Sequence, residues 1–181
     1  MGNQGRSTSN QAKPFPGMKK VTISVFWDAK GILLIDYLQN GATVNAQYYS
    51  NLLSVGLTRS LQNKRRGKLS GEILYHHDNA PPHTAKLTRD TLAGFGWTVL
   101  PHPPYSPDLA PSDFHLFGKL KEPLRGIHFK SLREVQDAVE DWRAKTTPEF
   151  YTAGVQSLFK RCQKCIQLNG GYIEKFDVDN T

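Results

Sequence analysis

The chain has 181 residues, 38% of them hydrophobic and 22% charged, which is enough for one domain with a real core. Its formal net charge of +7 favours an anionic partner. No secretory apolar segment and no run long enough to cross a membrane is present, and Arg6 stands where a myristoylation pattern wants Ser or Thr, so a soluble intracellular protein without a membrane partner is expected.

In chain order, residues 1–20 are polar, hold no Val, Ile or Leu and carry Phe15 as their one aromatic, so they read as a disordered tail, as do residues 177–181; a single domain is expected over 21–176. Val21 to Trp27 and Ile32 to Leu38 form two apolar runs joined by Asp28-Ala29-Lys30-Gly31, a hairpin turn. A short strand, Ile73-Leu74-Tyr75, leads to Asp78 and is stopped by Pro81-Pro82, which cannot continue a ladder. A helix over about Pro82 to Ala93, closed by Gly94 and Gly96, precedes a strand over Trp97 to Leu100. A stiff proline-rich loop follows. Ser112 then reads as the N-cap of a helix with Asp113 in its first turn and Phe114, Leu116, Phe117 and Leu120 on its stripe. Ser131 and Glu134 make a capping box ahead of a buried face of Leu132, Val135, Val139 and Trp142, and Thr147-Pro148 starts the last helix.

Asp78 and Asp113, with 34 residues between them, each sit at the edge of regular structure. A strand's carboxyl end is where α/β sheets gather ligands and catalytic groups. Two carboxylates so placed suit Mg²⁺ or Mn²⁺, hard cations that prefer oxygen ligands and keep waters for a phosphate substrate. The alternative is an aspartate that ends a strand and another that caps a helix, with no metal. His77, His83 and His115 flank the two acids, as phosphate contacts or as hydrogen-bonded structural residues. Basic residues cluster at Lys64-Arg65-Arg66 and from Lys119 through Lys121 to Arg125; they fit sequence-independent phosphate contacts or a solvated surface. Cys162 and Cys165 form a C-x-x-C whose better reading is a pair of reduced thiols on one helix face, because no histidine pair follows at finger-like spacing.

The strings HDNAPPHTA (77–85) and PHPPYSPDLAPSDFHLF (101–117) resemble the catalytic core of mariner-type transposases of the Tc1/mariner superfamily. SVFWDAKGILLIDYL (24–38) and RCQKCIQLNGGYIEK (161–175) extend the resemblance over about Lys20 to Lys175. It implies an α/β, ribonuclease-H-like mixed sheet flanked by helices, three carboxylates binding two divalent ions, DNA as substrate, a homodimer or a full-length transposase as protein partner, and nuclear residence. Asp78 and Asp113 match two of the three carboxylates. The first belongs on a central strand between Val21–Trp27 and the strand ending at Asp78, and that strand is expected to be lacking; Asp28 and Asp36 are weak substitutes. The expectation is therefore a truncated core, without its sequence-reading helix-turn-helix, that binds metal weakly and DNA without sequence preference and does not cut it alone. A gap, or a strained pairing of the two orphaned strands, should mark the sheet. A domesticated DNA-binding or transposase-interacting protein is the alternative.

Overall fold

The computed structural model describes residues 21–38 and 42–173; the expected tails lie outside them. Strands β1 (Thr22–Asp28) and β2 (Gly31–Leu38) pair antiparallel as the sequence predicts. Asp28 Oδ1 accepts from the Lys30 N–H at 2.9 Å, which closes the turn, and Gly31 takes φ 122°, a conformation that side chains resist. The register slips between Phe26 and Trp27, leaving Leu33 as an extra residue on β2. Lys64 Nζ donates to the carbonyls of Leu33 (2.8 Å) and Ile32 (3.3 Å) at this bulge.

Because side chains alternate along a strand, the hairpin serves two cores. Phe26 and Leu33 pack with Leu53, Leu57, Tyr75, Leu92 and Trp97, while Ile32 packs on the other side with Leu116 and Tyr151. A third cluster, Leu120, Val135 and Val139, continues that second side. The helical layer on the first side is α1 (Ala46–Asn51), a π-type stretch (Leu52–Leu57) and α2 (Thr58–Lys64), capped by the Asn45 side chain on the Tyr48 N–H.

Strands β3 (Leu74–Tyr75) and β4 (Thr98–Val99) pair in parallel. Among the described residues no strand pairing joins this sheet to the hairpin. An open groove of about 620 Å³ is lined mostly by residues 42–46 leading into α1, with Thr22 and Pro81 and Pro82 at its margins. The helix expected over Pro82 to Ala93 is two pieces, α3 (Pro81–Thr84) and α4 (Lys86–Gly94). They part at Ala85, whose ψ of 147° is extended, and the Thr88 hydroxyl bonds the Pro82 carbonyl at 2.6 Å across the break.

Asp113 falls in the first turn of a helix, as predicted, but that turn is π-type (Ser112–Leu116) and runs into α5 (Phe117–Lys121). Ser112 does not cap it; its Oγ accepts from Trp27 Nε1 at 3.0 Å instead. The capping box at α6 (Leu132–Lys145) is present, with Glu134 N–H on Ser131 Oγ at 3.3 Å, although the Glu134 carboxylate returns to the N–H of Lys130 rather than of Ser131. Helix α7 (Pro148–Gln167) crosses the hairpin at Gly154. No described helix is long and apolar enough to cross a membrane.

Candidate metal and nucleic-acid site

Asp78 leaves β3 where the ladder ends. Its Oδ1 accepts from the Ala80 N–H at 3.0 Å and lies 2.6 Å from His83 Nδ1 on α3, so the Pro-Pro turn brings the imidazole back to the carboxylate. His83 is stacked on Tyr49 at 4.2 Å between ring centroids, and Tyr49 is fixed in turn by its hydroxyl against that of Tyr75 at 2.6 Å. Burial pushes the Asp78 carboxyl up, but the Ala80 N–H and His83 outweigh it and hold the pKa below the ordinary value. Burial also lowers His83, against the pull of Asp78, so near neutral pH the contact is a hydrogen bond from an uncharged ring.

Asp113 is fixed from a different part of the fold. Its N–H donates to the Ala110 carbonyl at 2.8 Å, the neighbouring Ser112 is tied to Trp27, and two residues on His115 Nε2 meets the Phe150 carbonyl at 2.8 Å. Burial raises its pKa and the negative charge of Asp78 raises it further; Lys121 and His102 pull the other way. The charge of Asp78 is thus felt at Asp113 and opposes its ionisation. Such a pair of oxygen donors gains from a divalent cation, and the chemistry of the set fits Mg²⁺ or Mn²⁺. Among the described residues, no group of three or more His, Cys, Asp or Glu forms a complete metal cage.

Neither substitute acid joins the pair. Asp28 takes a bidentate grip from Arg65, with Nε and Nη2 each at 2.8 Å, and Asp36 accepts from the Tyr48 hydroxyl.

The basic candidates divide. Lys64 and Arg65 are committed to the hairpin, on the bulge carbonyls and on Asp28. Arg66 and Arg125 are exposed. Lys119 pairs with Glu122 at 3.1 Å on the surface, and Lys121 lies 5.8 Å from the Phe117 ring centroid, close enough for its charge to act on Asp113. Cys162 and Cys165 are free thiols, both half-buried. The reading of sequence missed the packing partnership of His83 with Tyr49 and the approach of Lys121 to Asp113; only the length of the HDNAPPHTA string hinted at the first.

A strand-end aspartate and a helix-start aspartate that feels its charge thus stand on an α/β scaffold, with Lys121 acting on the second. The family described as "Transposase (partial DDE domain)" matches residues 3–70. Mariner Mos1 transposase of Drosophila mauritiana is 40% identical over 172 residues, which is 94% of this chain and 50% of that protein. The human histone-lysine N-methyltransferase SETMAR is 33% identical over 174 residues, 95% of this chain and 25% of that protein. The crystal structure of the Mos1 catalytic domain superposes with a TM-score of 0.82 at 42% identity, covering 86% of this chain and 77% of the other. The Mos1 paired-end complex with Mn matches at 0.81 and 40% identity, covering 96% and 51%.

The fold is therefore ribonuclease-H-like. This chain belongs to the mariner-type transposases of the Tc1/mariner superfamily and corresponds to their catalytic domain. It spans about half the length of Mos1 transposase and a quarter of SETMAR.

Proposed function

We propose that the chain is a mariner catalytic core whose Asp78 and Asp113 hold Mg²⁺ or Mn²⁺ against a DNA phosphate, the family reaction being metal-dependent strand cleavage and transfer. The observation that carries this is the anchoring of Asp78 just beyond β3 by the Ala80 N–H and His83, with its charge felt at Asp113, whose carboxyl burial already raises. Solved Mos1 catalytic domains with Mg and with Mn, and Mos1 paired-end complexes, support the choice of ion and of DNA.

Asp78 is the ready ligand, since the Ala80 N–H and His83 keep it ionised and fix its plane. Asp113, raised by burial and by the charge of Asp78, gains from positive charge brought beside it. Lys121 and the exposed Arg66 and Arg125 meet the phosphate backbone, and Lys119 adds to them at the cost of a weak surface pair. Bound divalent ions supply charge stabilisation for an in-line displacement at phosphorus.

The resemblance calls for three carboxylates, and Asp78 and Asp113 match two of them. The third would belong to a further strand, and among the described residues no pairing joins β1–β2 to β3–β4. The chain by itself accordingly binds metal weakly, binds DNA without sequence preference, and does not cut. Incubation of the purified 181-residue chain with supercoiled plasmid and Mg²⁺ or Mn²⁺ should leave the plasmid intact. Metal-dependent nicking that disappears in Asp78→Ala would overturn that part and require another carboxylate to complete the site.

A second reading is a non-catalytic DNA-binding or transposase-interacting protein. It is favoured by the match to one quarter of a protein named as a histone-lysine N-methyltransferase, where a mariner-like segment lies inside a larger chain. A DNA substrate calls for nuclear residence in either reading, and the protein partner is a second copy or a full-length transposase, in keeping with the Mos1 paired-end complexes.

A further inference from the structure

The motif RCQKCIQLNGGYIEK has no part in the site just described, yet its first residue is one of two buried charged residues, with Asp108, among those described. Arg161 on α7 is 6% exposed. Its Nη1 donates to the Asp108 carbonyl (3.2 Å) and the Ile173 carbonyl (3.4 Å), and its guanidinium lies 4.4 Å from the centroid of the Phe114 ring. Asp108, 5% exposed, accepts the Ile173 N–H on Oδ2 at 3.0 Å. No ion pair to Arg161 occurs among the described residues. A buried cation held by carbonyls and an aromatic face gives up much hydration, and stability alone is better served by an apolar side chain of like volume.

What the arrangement achieves is placement. Asp108 lies in the 3₁₀ turn Pro107–Leu109 that delivers the chain to Asp113, and Phe114 is the next residue after Asp113. The groove of about 350 Å³ bounded by Arg161, Phe114 and Ile173 has Asp113 on its wall. Trp27 holds the Asp113 turn from the hairpin; Arg161 holds it from α7.

We propose that Arg161 is a positioning residue for the metal site: by clasping the Asp108 turn, Phe114 and Ile173 it sets the place of the Asp113 carboxylate relative to Asp78. The inference rests on Asp113 being a metal ligand. It also gives the C-terminal motif a role: the motif anchors the proline-rich loop 104–111.

The test is Mn²⁺ binding to the full chain, followed by the loss of the free-ion electron paramagnetic resonance signal, with folding checked by circular dichroism. Arg161→Met should weaken Mn²⁺ by about tenfold or more, as is usual when a group orienting a metal ligand is lost. Arg161→Lys, which keeps the charge and a carbonyl bond but not the flat stack, should fall between it and wild type. Phe114→Leu, which removes the ring under the guanidinium, carries the test if Arg161→Met does not fold. Val139→Ala, in the cluster under α6 that continues the same core without touching Arg161, Asp108 or Phe114, is the control for general loosening. Unchanged Mn²⁺ affinity in the folded Arg161 or Phe114 variant, or equal weakening by Val139→Ala, overturns the proposal. Asp113→Ala separates the two levels: if it binds Mn²⁺ like wild type, the ligand reading itself falls, whereas weakening in Asp113→Ala but not in Arg161→Met removes only the positioning role. Absence of Mn²⁺ binding by wild type overturns both.

Discussion

Replacing Gly154 by alanine should destabilise the protein although alanine is the better helix former. Gly154 is buried where α7 meets the hairpin, and a methyl group there would lie 2.5 Å from His115 Cδ2 and 2.9 Å from Trp27 Cη2. Neither neighbour is free to retreat. His115 is held by the Phe150 carbonyl at 2.8 Å and by stacking on the Phe150 ring at 4.2 Å, and Trp27 is held by Ser112. Helix propensity favours alanine by about 1 kcal/mol, while forcing a carbon into a packed contact costs about 1–3 kcal/mol. With two pinned partners the upper part of that range applies, leaving a net loss of about 1–2 kcal/mol, or roughly 2–8 °C in Tm for a domain of this size. A thermal melt followed by circular dichroism measures it. An unchanged or raised Tm would show that α7 can slide on the hairpin, and would undercut the claim that Trp27 and His115 hold the Asp113 turn rigidly.

Asp28→Asn should cost about 1–2 kcal/mol at neutral pH, because the Arg65 bonds to this carboxylate are charge-assisted yet partly in contact with water. Burial raises the Asp28 pKa, but Arg65 and the Lys30 N–H more than offset it and lower the folded value beneath 3.8, so this stabilisation is present above the unfolded pKa and fades as pH falls through the folded one; urea titrations of the two proteins should converge only in strong acid. The combined substitution Arg66→Ala, Lys121→Ala and Arg125→Ala should reduce the slope of log affinity for duplex DNA against log salt by about 3, whereas Lys64→Ala should leave the slope alone and lower the Tm. An unchanged slope in the first, or a changed one in the second, contradicts the division of basic residues made above. Trp27→Phe removes one part-buried hydrogen bond to Ser112 and should cost about 1 kcal/mol in a denaturant titration; no loss would mean that Ser112 finds water at equal benefit.

The hairpin, the Asp78 strand end, the Asp113 turn and both C-terminal helices could be read from the chain because each is announced locally, by alternation, by Pro-Pro, or by caps. Residues 46–64 are helical too, and their buried face, Tyr49, Leu52, Leu53, Leu57 and Leu61 at spacings of three and four, is legible in the chain as a helical stripe that runs on through the π-type stretch. Basic clusters looked alike in sequence; that Lys64 and Arg65 serve a bulge and a turn depends on a register slip in β2 and on Asp28, 37 residues from Arg65. The same holds for Arg161, whose partners lie 53 residues upstream and 12 downstream, distances over which no periodicity carries information.

The two faces of the β1–β2 hairpin look toward different cores, and the two aspartates are divided between them: Asp78 is anchored through Tyr75 and Tyr49 to one, Asp113 through Leu116 and Ile32 to the other. On the proposed reading, a cation shared by these two exposed carboxylates would tie the two cores together from the surface. Its grip and the cohesion of the two halves would then be one thermodynamic quantity seen from two ends, so a partner or mutation that shifts one core against the other would retune metal affinity without touching either ligand.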